Sequence, residues 1–379
     1  MKLMHLSDLH LGKRVNEFSL MEDQKDILNK IIQIIDDEQP DAVLIAGDVY
    51  DRAVPSAEAV ELFDSFLVRL AKRRQETFII SGNHDSPERL SFAGKLIDPT
   101  GIHLAPVYNG EICPLSLMDE YGIIDIYMLP FIKPAAVRRF FPEEEIVSYE
   151  DAMRVAIGAM TLDETKRNIL ITHQFVTGAA TSDSEELSVG GADQVSAEVF
   201  RGFDYVALGH LHRPQNIKPA IRYSGTPLKY SFSEAKDRKS VTLVELKEKG
   251  DLSIREIPLV PLRDMKEIKG TYNELTLKEY YDRDPEMKEA YLHITLTDEE
   301  DVPDAAAKLR VIYPNLMKLD YDNTRTRNTR GVQALTEVEK KTPMELFSAF
   351  YEMQNGQEMS LEQKQYLETL IEGIWEGDA

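Results

Sequence analysis

Runs of apolar residues that stop at a polar or charged residue recur along the first two thirds of the chain. The run at residues 42–46 is made of small, branched apolar residues, follows a turn at Pro40, and stops at Gly47 and Asp48. Such a run predicts a strand that is buried on both faces, with Asp48 at its carboxyl end. Open parallel sheets bind ligands at this end of their strands, so we expect Asp48 to lie at the centre of a functional site.

Amphipathic stretches separate the apolar runs. The apolar residues between Ile27 and Ile35 follow the 3.6-residue period of a helix, and they lie between predicted strands at residues 2–6 and 42–46. A strand, a helix and a second strand in this order predict a βαβ unit. We therefore expect an α/β protein with a largely parallel sheet.

Polar side chains also follow four other predicted strands. They are Asp8 and His10 after residues 2–6, Asn83, His84 and Asp85 after residues 77–80, His173 after residues 168–172, and His210 and His212 after residues 203–208. Taken singly, an aspartate or asparagine after a strand is more often a turn or cap residue, and a lone histidine more often has a structural role. Five of the eight histidines fall in these segments, however, and independent turns would not produce that distribution. The pattern favours one shared site.

The residue types in these segments are those that bind divalent metal ions. Two ions a few ångströms apart need a bridging carboxylate, further oxygen and imidazole ligands, and open positions for water and substrate. The candidate ligands are Asp8, His10, Asp48, Asn83, His173, His210 and His212. Asparagine is an unusual ligand, but its carbonyl oxygen adds a donor without adding negative charge.

Composition excludes several other classes of protein. With 379 residues the chain is too long for one ordinary core, so we expect two or three domains. No apolar run approaches the roughly 18 residues of a membrane span, and we expect no signal peptide and no membrane partner. A single cysteine, Cys113, fits a cytoplasmic protein. The net charge of -22 argues against a simple basic sleeve for nucleic acid, although divalent cations can supply a positive field locally.

The motifs resemble, complete and in order, those of the calcineurin-like metallophosphoesterases: Asp8-x-His10, Gly47-Asp48, Gly82-Asn83-His84-Asp85, His173 and Gly209-His210-x-His212. Three longer segments are similar to the bacterial SbcD nuclease family: Ser7-Asp8-Leu9-His10-Leu11-Gly12, Ala46-Gly47-Asp48-Val49-Tyr50-Asp51 and Tyr223-Ser224-Gly225-Thr226-Pro227-Leu228. The resemblance implies an α/β fold with four layers, an α/β/β/α sandwich, together with a small α+β capping domain and a C-terminal helical hairpin.

The resemblance also implies two manganese ions, with magnesium as an alternative, and no organic cofactor. One ion would be held by Asp8, His10 and His212, the other by Asn83, His173 and His210, and Asp48 would bridge them.

The same resemblance assigns the catalytic residues. His84 would protonate the leaving oxygen or stabilise the transition state, and Asp85 would orient His84, although Asp85 is also placed to cap a helix that begins near Ser86. Archaeal and eukaryotic relatives carry a second catalytic histidine three residues after the bridging aspartate. Asp51 stands at that position here, and we assign it no catalytic role.

The resemblance and the changes in composition divide the chain into four parts. We expect a metallophosphoesterase nuclease domain at residues 1–262, a capping domain at 263–322, a linker at 323–341, and a C-terminal helical hairpin at 342–379. The second helix of the hairpin carries an apolar stripe at Leu367, Leu370, Ile371, Ile374 and Trp375, without a core of its own. A partner surface is expected to cover it, and the resemblance implies the coiled-coil base of an SbcC-type ATPase in a heterotetramer of two plus two. Folding back onto the chain's own cap is the alternative.

Two predicted helices flank the Asn83 loop, near residues 56–74 and 86–97. The resemblance implies a homodimer through these helices, with apolar side chains at Val60, Phe63, Phe66, Leu67, Leu90 and Phe92. The alternative is that these side chains only cover the sheet of their own domain.

The function implied is that of a manganese-dependent nuclease subunit that hydrolyses DNA phosphodiesters. It would act as a 3′–5′ exonuclease on double strands and as an endonuclease on single strands and hairpins, in DNA recombination, repair and replication. A metallophosphoesterase for small substrates, such as cyclic nucleotides or phosphoproteins, is one alternative, but it would not need the cap and hairpin. A non-catalytic scaffold is another, but it would have no chemical reason to keep His84 and a full ligand set.

Overall fold

The computed structural model describes residues 1–92, 94–185, 193–324, 326, 344, 347, 348, 351 and 359–377. The chain forms two compact units. The first contains Met1–Glu185 and Gln194–Tyr321, and the second contains Asp193 and the described residues from Asp322 onward.

Strands in the described part of the chain form two six-stranded sheets, one three-stranded sheet and two short pairs. In chain order they are β1 (Lys2–Leu6), β2 (Arg14–Val15), β3 (Phe18–Ser19), β4 (Ala42–Ala46), β5 (Glu76–Ile80), β6 (Ile102–Ala105), β7 (Leu115–Asp119), β8 (Gly122–Leu129), β9 (Arg167–His173), β10 (Phe175–Val176), β11 (Gln194–Val195), β12 (Tyr205–Gly209), β13 (Gln215–Lys218), β14 (Ile221–Tyr223), β15 (Ser240–Leu246), β16 (Leu252–Pro258), β17 (Met265–Gly270), β18 (Tyr291–Leu296) and β19 (Leu316–Tyr321).

Helices of the described residues range from single turns to five turns. In chain order they are α1 (Met21–Glu38), α2 (Ala57–Lys72), α3 (Pro87–Leu90), α4 (Gly94–Ile97), α5 (Pro134–Arg138), α6 (Tyr149–Gly158), α7 (Tyr272–Thr276), α8 (Lys278–Tyr281), α9 (Pro285–Glu289), α10 (Ala305–Ile312) and α11 (Leu361–Gly377). Within the described ranges, no helix combines the length and the apolar character needed to cross a membrane.

Both large sheets have a parallel centre. The first has the strand order β16-β15-β1-β4-β5-β6 and the second β13-β14-β12-β9-β8-β7. Strands β1, β4, β5 and β6 run parallel in the first sheet, as do β14, β12, β9 and β8 in the second. The strands outside these groups pair antiparallel. The predicted α/β class is confirmed, with mixed rather than purely parallel sheets.

Alternate residues of β4 show how the layers are built. Leu44 belongs to the core between the two sheets, together with Ile171 of β9 and Ala207 of β12. Its neighbours Val43 and Ile45 point to the opposite face and pack into the core beneath α1 and α2. Helices α5 and α6 cover the outer face of the second sheet in the same way. The layers therefore follow the predicted order α/β/β/α.

The segment after β16 forms a small layer with a core of its own. Strands β17, β18 and β19 make a parallel sheet, and α7 to α10 pack on it around Leu292 and Ile294. Ion pairs join this layer to α1: the guanidinium of Arg263 lies 2.9 Å from the Asp23 carboxylate and 2.6 Å from that of Glu22.

The second unit contains α11. Ser360 Oγ accepts a hydrogen bond from the Gln363 amide at 3.2 Å, and the Gln363 side chain accepts one from the Ser360 amide at 2.8 Å, which is a capping box. The predicted linker at 323–341 and the first helix of the predicted hairpin lie outside the described residues, apart from a few isolated positions.

Only some of the side chains predicted to form a dimer contact are exposed. Phe63, Phe66 and Leu90 are 3%, 1% and 6% exposed and belong to the core of their own unit, which agrees with the alternative that these side chains cover their own sheet. Val60 and Phe92, by contrast, are 44% and 84% exposed. The segment 86–97 forms two single-turn helices, α3 and α4, on either side of residue 93.

The burial of Phe66 predicts a large loss of stability on truncation. We expect Phe66→Ala to lower the free energy of unfolding by about 3–5 kcal/mol, because it removes a buried ring and leaves a cavity. Val60→Ala on the same helix removes an exposed side chain and should change it by no more than about 0.5 kcal/mol. Urea denaturation followed by circular dichroism measures both, and similar small losses would contradict the burial of Phe66.

Candidate metal centre

The carboxyl ends of five strands meet at one edge of the two large sheets. Strands β1, β4 and β5 of the first sheet and β9 and β12 of the second lead into the polar segments found in the sequence. The structure brings together the seven predicted ligands: Asp8, His10, Asp48, Asn83, His173, His210 and His212. Asn83 is half-buried and the other six are buried.

The backbone at these junctions has an unusual conformation. Asp8, His10 and Asp48 have φ values of 53°, 43° and 47°, in the left-handed region that costs a non-glycine residue about 1–3 kcal/mol. Main-chain bonds hold two of the loops together, since the Asp8 amide donates to the Gly47 carbonyl and the His10 amide to the Asp48 carbonyl, both at 3.0 Å. A Cβ at Gly209 would lie 1.8 Å from a carbonyl oxygen of β4, so only glycine fits there. Close packing of the loops therefore depends on local strain.

Two imidazoles face each other in the first half of the site. Nε2 of His10 lies 3.1 Å from Nε2 of His212, and Asp8 completes a group whose ligand atoms all lie within 4.8 Å of one another. Asp48 Oδ2 is 3.6 Å from the same nitrogen of His10. Two facing nitrogens share one proton at most, whereas a cation between them would accept both lone pairs.

The second half is built around an amide oxygen. Oδ1 of Asn83 lies 3.0 Å from Nε2 of His173 and 3.0 Å from Nδ1 of His210. Asp48 Oδ2 lies 3.4 Å from Nε2 of His173. Because Asp48 contacts an imidazole of each half, its carboxylate is placed to bridge two ions.

A polar atom without a partner supports the same interpretation. Among the described residues, His210 Nε2 is a buried atom of the site with no hydrogen-bond partner. Such atoms are rare in native proteins and indicate an additional ligand, ion or water. Carboxylate, imidazole and amide donors together suit divalent ions of the first transition row and magnesium. The residues present therefore fit two divalent ions.

Burial and mutual charge shift the pKa values of the site. Burial opposes ionisation of Asp48, but the charge of His173 and its hydrogen bond outweigh burial and hold the pKa of Asp48 well below its usual range. Burial also opposes protonation of His173, but Asp48 outweighs it and raises the pKa of His173 to about 9. Burial raises the pKa of Asp8 to about 6. Burial and the charge of His173 lower the pKa of His210 to about 3. One imidazolium therefore offsets part of the charge of the buried carboxylates.

His84 lies at the mouth of this cluster. Its Nδ1 is 3.1 Å from the carbonyl oxygen of Asp51. A carbonyl oxygen can only accept a hydrogen bond, so Nδ1 carries a proton, and Nε2 is the ring nitrogen that does not contact Asp51. The His84 amide donates to Asp48 Oδ1 at 2.9 Å, and its ring contacts that of His10 edge-on, with centroids 4.9 Å apart.

The contacts of Asp85 differ from those expected of a residue that orients His84. Its carboxylate accepts hydrogen bonds from the amides of Val49, Tyr50 and Gly82, at 3.1, 2.9 and 3.0 Å. It therefore ties the Asn83 loop to the Asp48 loop, and the carbonyl of Asp51 orients the His84 ring instead. Burial and the charge of Asp48 raise the pKa of Asp85 to about 6.

Sequence reasoning missed the groups that surround His212. Ser184 Oγ lies 2.6 Å from His212 Nδ1, and the His212 amide donates to Glu185 at 2.7 Å. Lys239 Nζ donates to the His212 carbonyl at 2.8 Å and forms a buried ion pair with Glu234 at 2.5 Å. These residues lie in loops and in a short 3₁₀ helix without a strand-end pattern, so no local signal marked them.

Comparisons with known proteins identify the family. The profile described as calcineurin-like phosphoesterase matches residues 1–214. A protein from Staphylococcus epidermidis, named as the SbcD component of the SbcCD nuclease, is 34% identical over 99% of both chains. Its namesake from Staphylococcus saprophyticus is likewise 34% identical over 99% of both. The chain belongs to the SbcD family of calcineurin-like phosphoesterases. A second profile, described as type 5 capsule protein repressor C-terminal domain, matches residues 261–355 of this SbcD-family chain.

Solved structures give a weaker likeness. A dimetal phosphatase from Danio rerio has 12% identity and a TM-score of 0.42, over 69% of this chain and 96% of that chain. This likeness is too slight to bear on function.

Binding of divalent ions should displace protons from the site. A ligand imidazole must be neutral, and with a pKa raised to about 9 the His173 ring is charged at neutral pH, so its proton leaves when the ion binds. Apparent affinity for manganese is expected to rise as pH increases towards about 9, and to fall below about 6, where Asp8 is also protonated.

Calorimetric titration of manganese in two buffers of different ionisation enthalpy counts the released protons. His103→Gln is the matched control, since His103 of β6 pairs with Glu76 and Asp98 rather than with a ligand of the site. It should release as many protons as the wild type. A binding enthalpy independent of the buffer would show that His173 is not protonated beforehand.

Proposed function

We propose that the chain is a manganese-dependent nuclease subunit that hydrolyses DNA phosphodiesters in the cytoplasm. It acts as a 3′–5′ exonuclease on double strands and as an endonuclease on single strands and hairpins, together with an SbcC-type ATPase, in DNA recombination, repair and replication. The observation that carries this proposal is a cluster of candidate metal-binding side chains in a chain 34% identical, over 99% of its length, to proteins named as the SbcD component of the SbcCD nuclease.

The two halves of the site are proposed to hold one ion each. Asp8, His10 and His212 bind the first, Asn83, His173 and His210 bind the second, and Asp48 bridges them. When bound, the ions supply Lewis acidity to the scissile phosphate and lower the pKa of a water that attacks it. Manganese fits a site that mixes oxygen donors with imidazoles, and magnesium is the alternative.

Protein groups beside the proposed ions have two roles: one donates a proton to the leaving group, and others hold that donor in place. The Nδ1–H of His84 is fixed on the Asp51 carbonyl, so Nε2 is the atom that we propose meets the leaving sugar oxygen. In the imidazolium form both ring nitrogens carry a proton, and Nε2 gives its proton to that oxygen while Nδ1 keeps its own. Asp85 keeps His84 in place indirectly, because it joins the two loops from which Asp48 and His84 extend.

Exposed apolar side chains support the proposed partner and dimer. On helix α11, Leu367 is buried but Leu370 is 41% exposed, and this exposed side chain suits docking on the coiled-coil base of an SbcC-type ATPase. The proposed assembly has two copies of each chain. We propose that two copies of this chain meet through α2, α3 and α4, where Val60, Val68 and Phe92 are exposed.

The chemical proposal is tested by cleavage of a labelled hairpin-ended duplex with manganese. We expect His84→Gln to lose about 10²–10⁴-fold in rate, because it removes the proton donor, while calorimetry still detects two bound ions. His103→Gln serves as the control, since it removes a histidine outside the site and should cleave normally.

Two other outcomes would count against the proposal. Cleavage by His84→Gln at the wild-type rate would remove His84 from the chemical step. Turnover of a small phosphodiester by the wild type, without DNA cleavage even with an SbcC-type partner and ATP, would favour a small-substrate phosphoesterase.

The dimer is tested by charge insertion. Phe92 is 84% exposed, and we expect Phe92→Glu to shift the chain from dimer to monomer in analytical ultracentrifugation, because a buried carboxylate without a partner is costly at an interface. Val311→Glu, at an 86% exposed apolar residue of α10, is the matched control and should remain dimeric. A dimer that persists in Phe92→Glu would contradict this interface.

A further inference from the structure

Asp51 lies beside the Nδ1 atoms of two histidines of the site, His10 and His84. Its side chain is 12% exposed, and Oδ1 lies 3.7 Å from His10 Nδ1. Its main-chain carbonyl oxygen lies 3.1 Å from His84 Nδ1. One residue therefore faces both a proposed metal ligand and the proposed proton donor.

Main-chain bonds fix this relation. Leu11, which follows His10, donates to the Val49 carbonyl at 2.9 Å, and its own carbonyl accepts from the Asp51 amide at 3.1 Å. This parallel bridge holds the loop after β1 against the loop after β4. The backbones of the His10 and Asp51 loops are thus held next to each other.

His10 needs an acceptor at its outer nitrogen. An imidazole that gives Nε2 to a metal ion carries its proton on Nδ1, and ligand histidines in proteins donate that N–H to a carboxylate, carbonyl or water. Among the described residues, His10 Nδ1 is buried without a partner. Closing the 3.7 Å gap to a normal N–H···O distance needs a movement of less than about 1 Å.

We propose that Asp51 is a positioning residue for the metal centre: its carboxylate accepts the Nδ1–H of His10 and fixes that ring for an ion, while its carbonyl fixes the His84 ring. The proposal rests on the two-ion site of the proposed function. It gives a role to a side chain that the sequence left without one.

Neighbouring cations hold the carboxylate in place. Lys13 Nζ lies 2.7 Å from Asp51 Oδ1, and Arg52 Nε lies 3.7 Å from Oδ2. A competing explanation is that Asp51 serves only this ion pair with Lys13. The two explanations predict different effects of removing the Lys13 charge on the affinity for manganese. If Asp51 positions His10, this removal leaves the carboxylate to His10 and takes away a cation that repels metal ions, so the affinity does not fall.

Manganese titration by calorimetry of the full chain separates them. We expect wild type to bind two ions, and Asp51→Asn to lose about 10–100-fold in affinity for one of them, since the isosteric amide is a weaker acceptor. Lys13→Met should keep or raise the affinity for both. Asp64→Asn, at an exposed aspartate of α2, is the matched control and should bind as the wild type.

Each other result has a defined meaning. A wild type that binds no manganese would overturn the proposed function itself, and this inference with it. Two tight sites in both wild type and Asp51→Asn would overturn only the role of Asp51. Equal losses in Asp51→Asn and Lys13→Met would also overturn it, in favour of the ion pair.

A spectroscopic measurement covers the case in which Asp51→Asn fails to fold. Nitrogen chemical shifts of His10 in the wild-type protein loaded with zinc, a diamagnetic ion, report which ring nitrogen is protonated. A protonated, hydrogen-bonded Nδ1 supports the proposal. An unprotonated Nδ1 overturns it.

Discussion

Carboxylates and imidazoles crowded together at the edge of two sheets must be compensated electrically, because burying charged or polar groups without partners costs several kcal/mol each. Within the protein, the pairing of Asp48 with His173 supplies part of this compensation, and it explains why the pKa values of these two groups shift in opposite directions. The facing nitrogens of His10 and His212 are left to compete for one proton. Two divalent ions would satisfy all of these groups at once, so under the proposed function the site is expected to be most stable in their presence.

The sandwich is what allows such crowding. Each large sheet presents its parallel strand ends at the same edge, and the core around Leu44 fixes the spacing between them. The cost is left-handed backbone at Asp8, His10 and Asp48, which persists because loops from different strands are hydrogen-bonded to one another. Stability from the core, not local preference, holds the ligands in position, and the glycine at 209 is needed because no Cβ fits there.

Sequence reasoning identified the features that a local sequence pattern marks, and it missed those that depend on contacts between residues distant in sequence. A buried strand ending in a polar residue is a local pattern, and the motif set extended it to the α/β class and to the residues that meet at the site. The helical period of α2 identified an apolar stripe, but period alone does not say whether the chain covers that stripe, so two explanations stayed open for Phe63 and Phe66. Glu234 and Ser184 reach His212 through contacts distant in sequence, and the partners of Asp85 are main-chain amides that no side-chain pattern reveals.

The net charge of -22 has to be reconciled with the polyanionic substrate of the proposed function. Charges farther apart than about 8 Å are largely screened at physiological ionic strength, so remote carboxylates contribute little to the field at the site. Near the centre, the carboxylates of Asp8 and Asp48 carry less charge than two divalent ions, and Lys13 offsets Asp51 at 2.7 Å. Under the proposed function, two bound ions would make the field that a phosphate meets there positive, so ion binding would favour substrate binding as well as hydrolysis. An isolated chain that releases few counterions from DNA should accordingly show a shallow salt dependence, since its affinity comes from the ions and not from a basic surface.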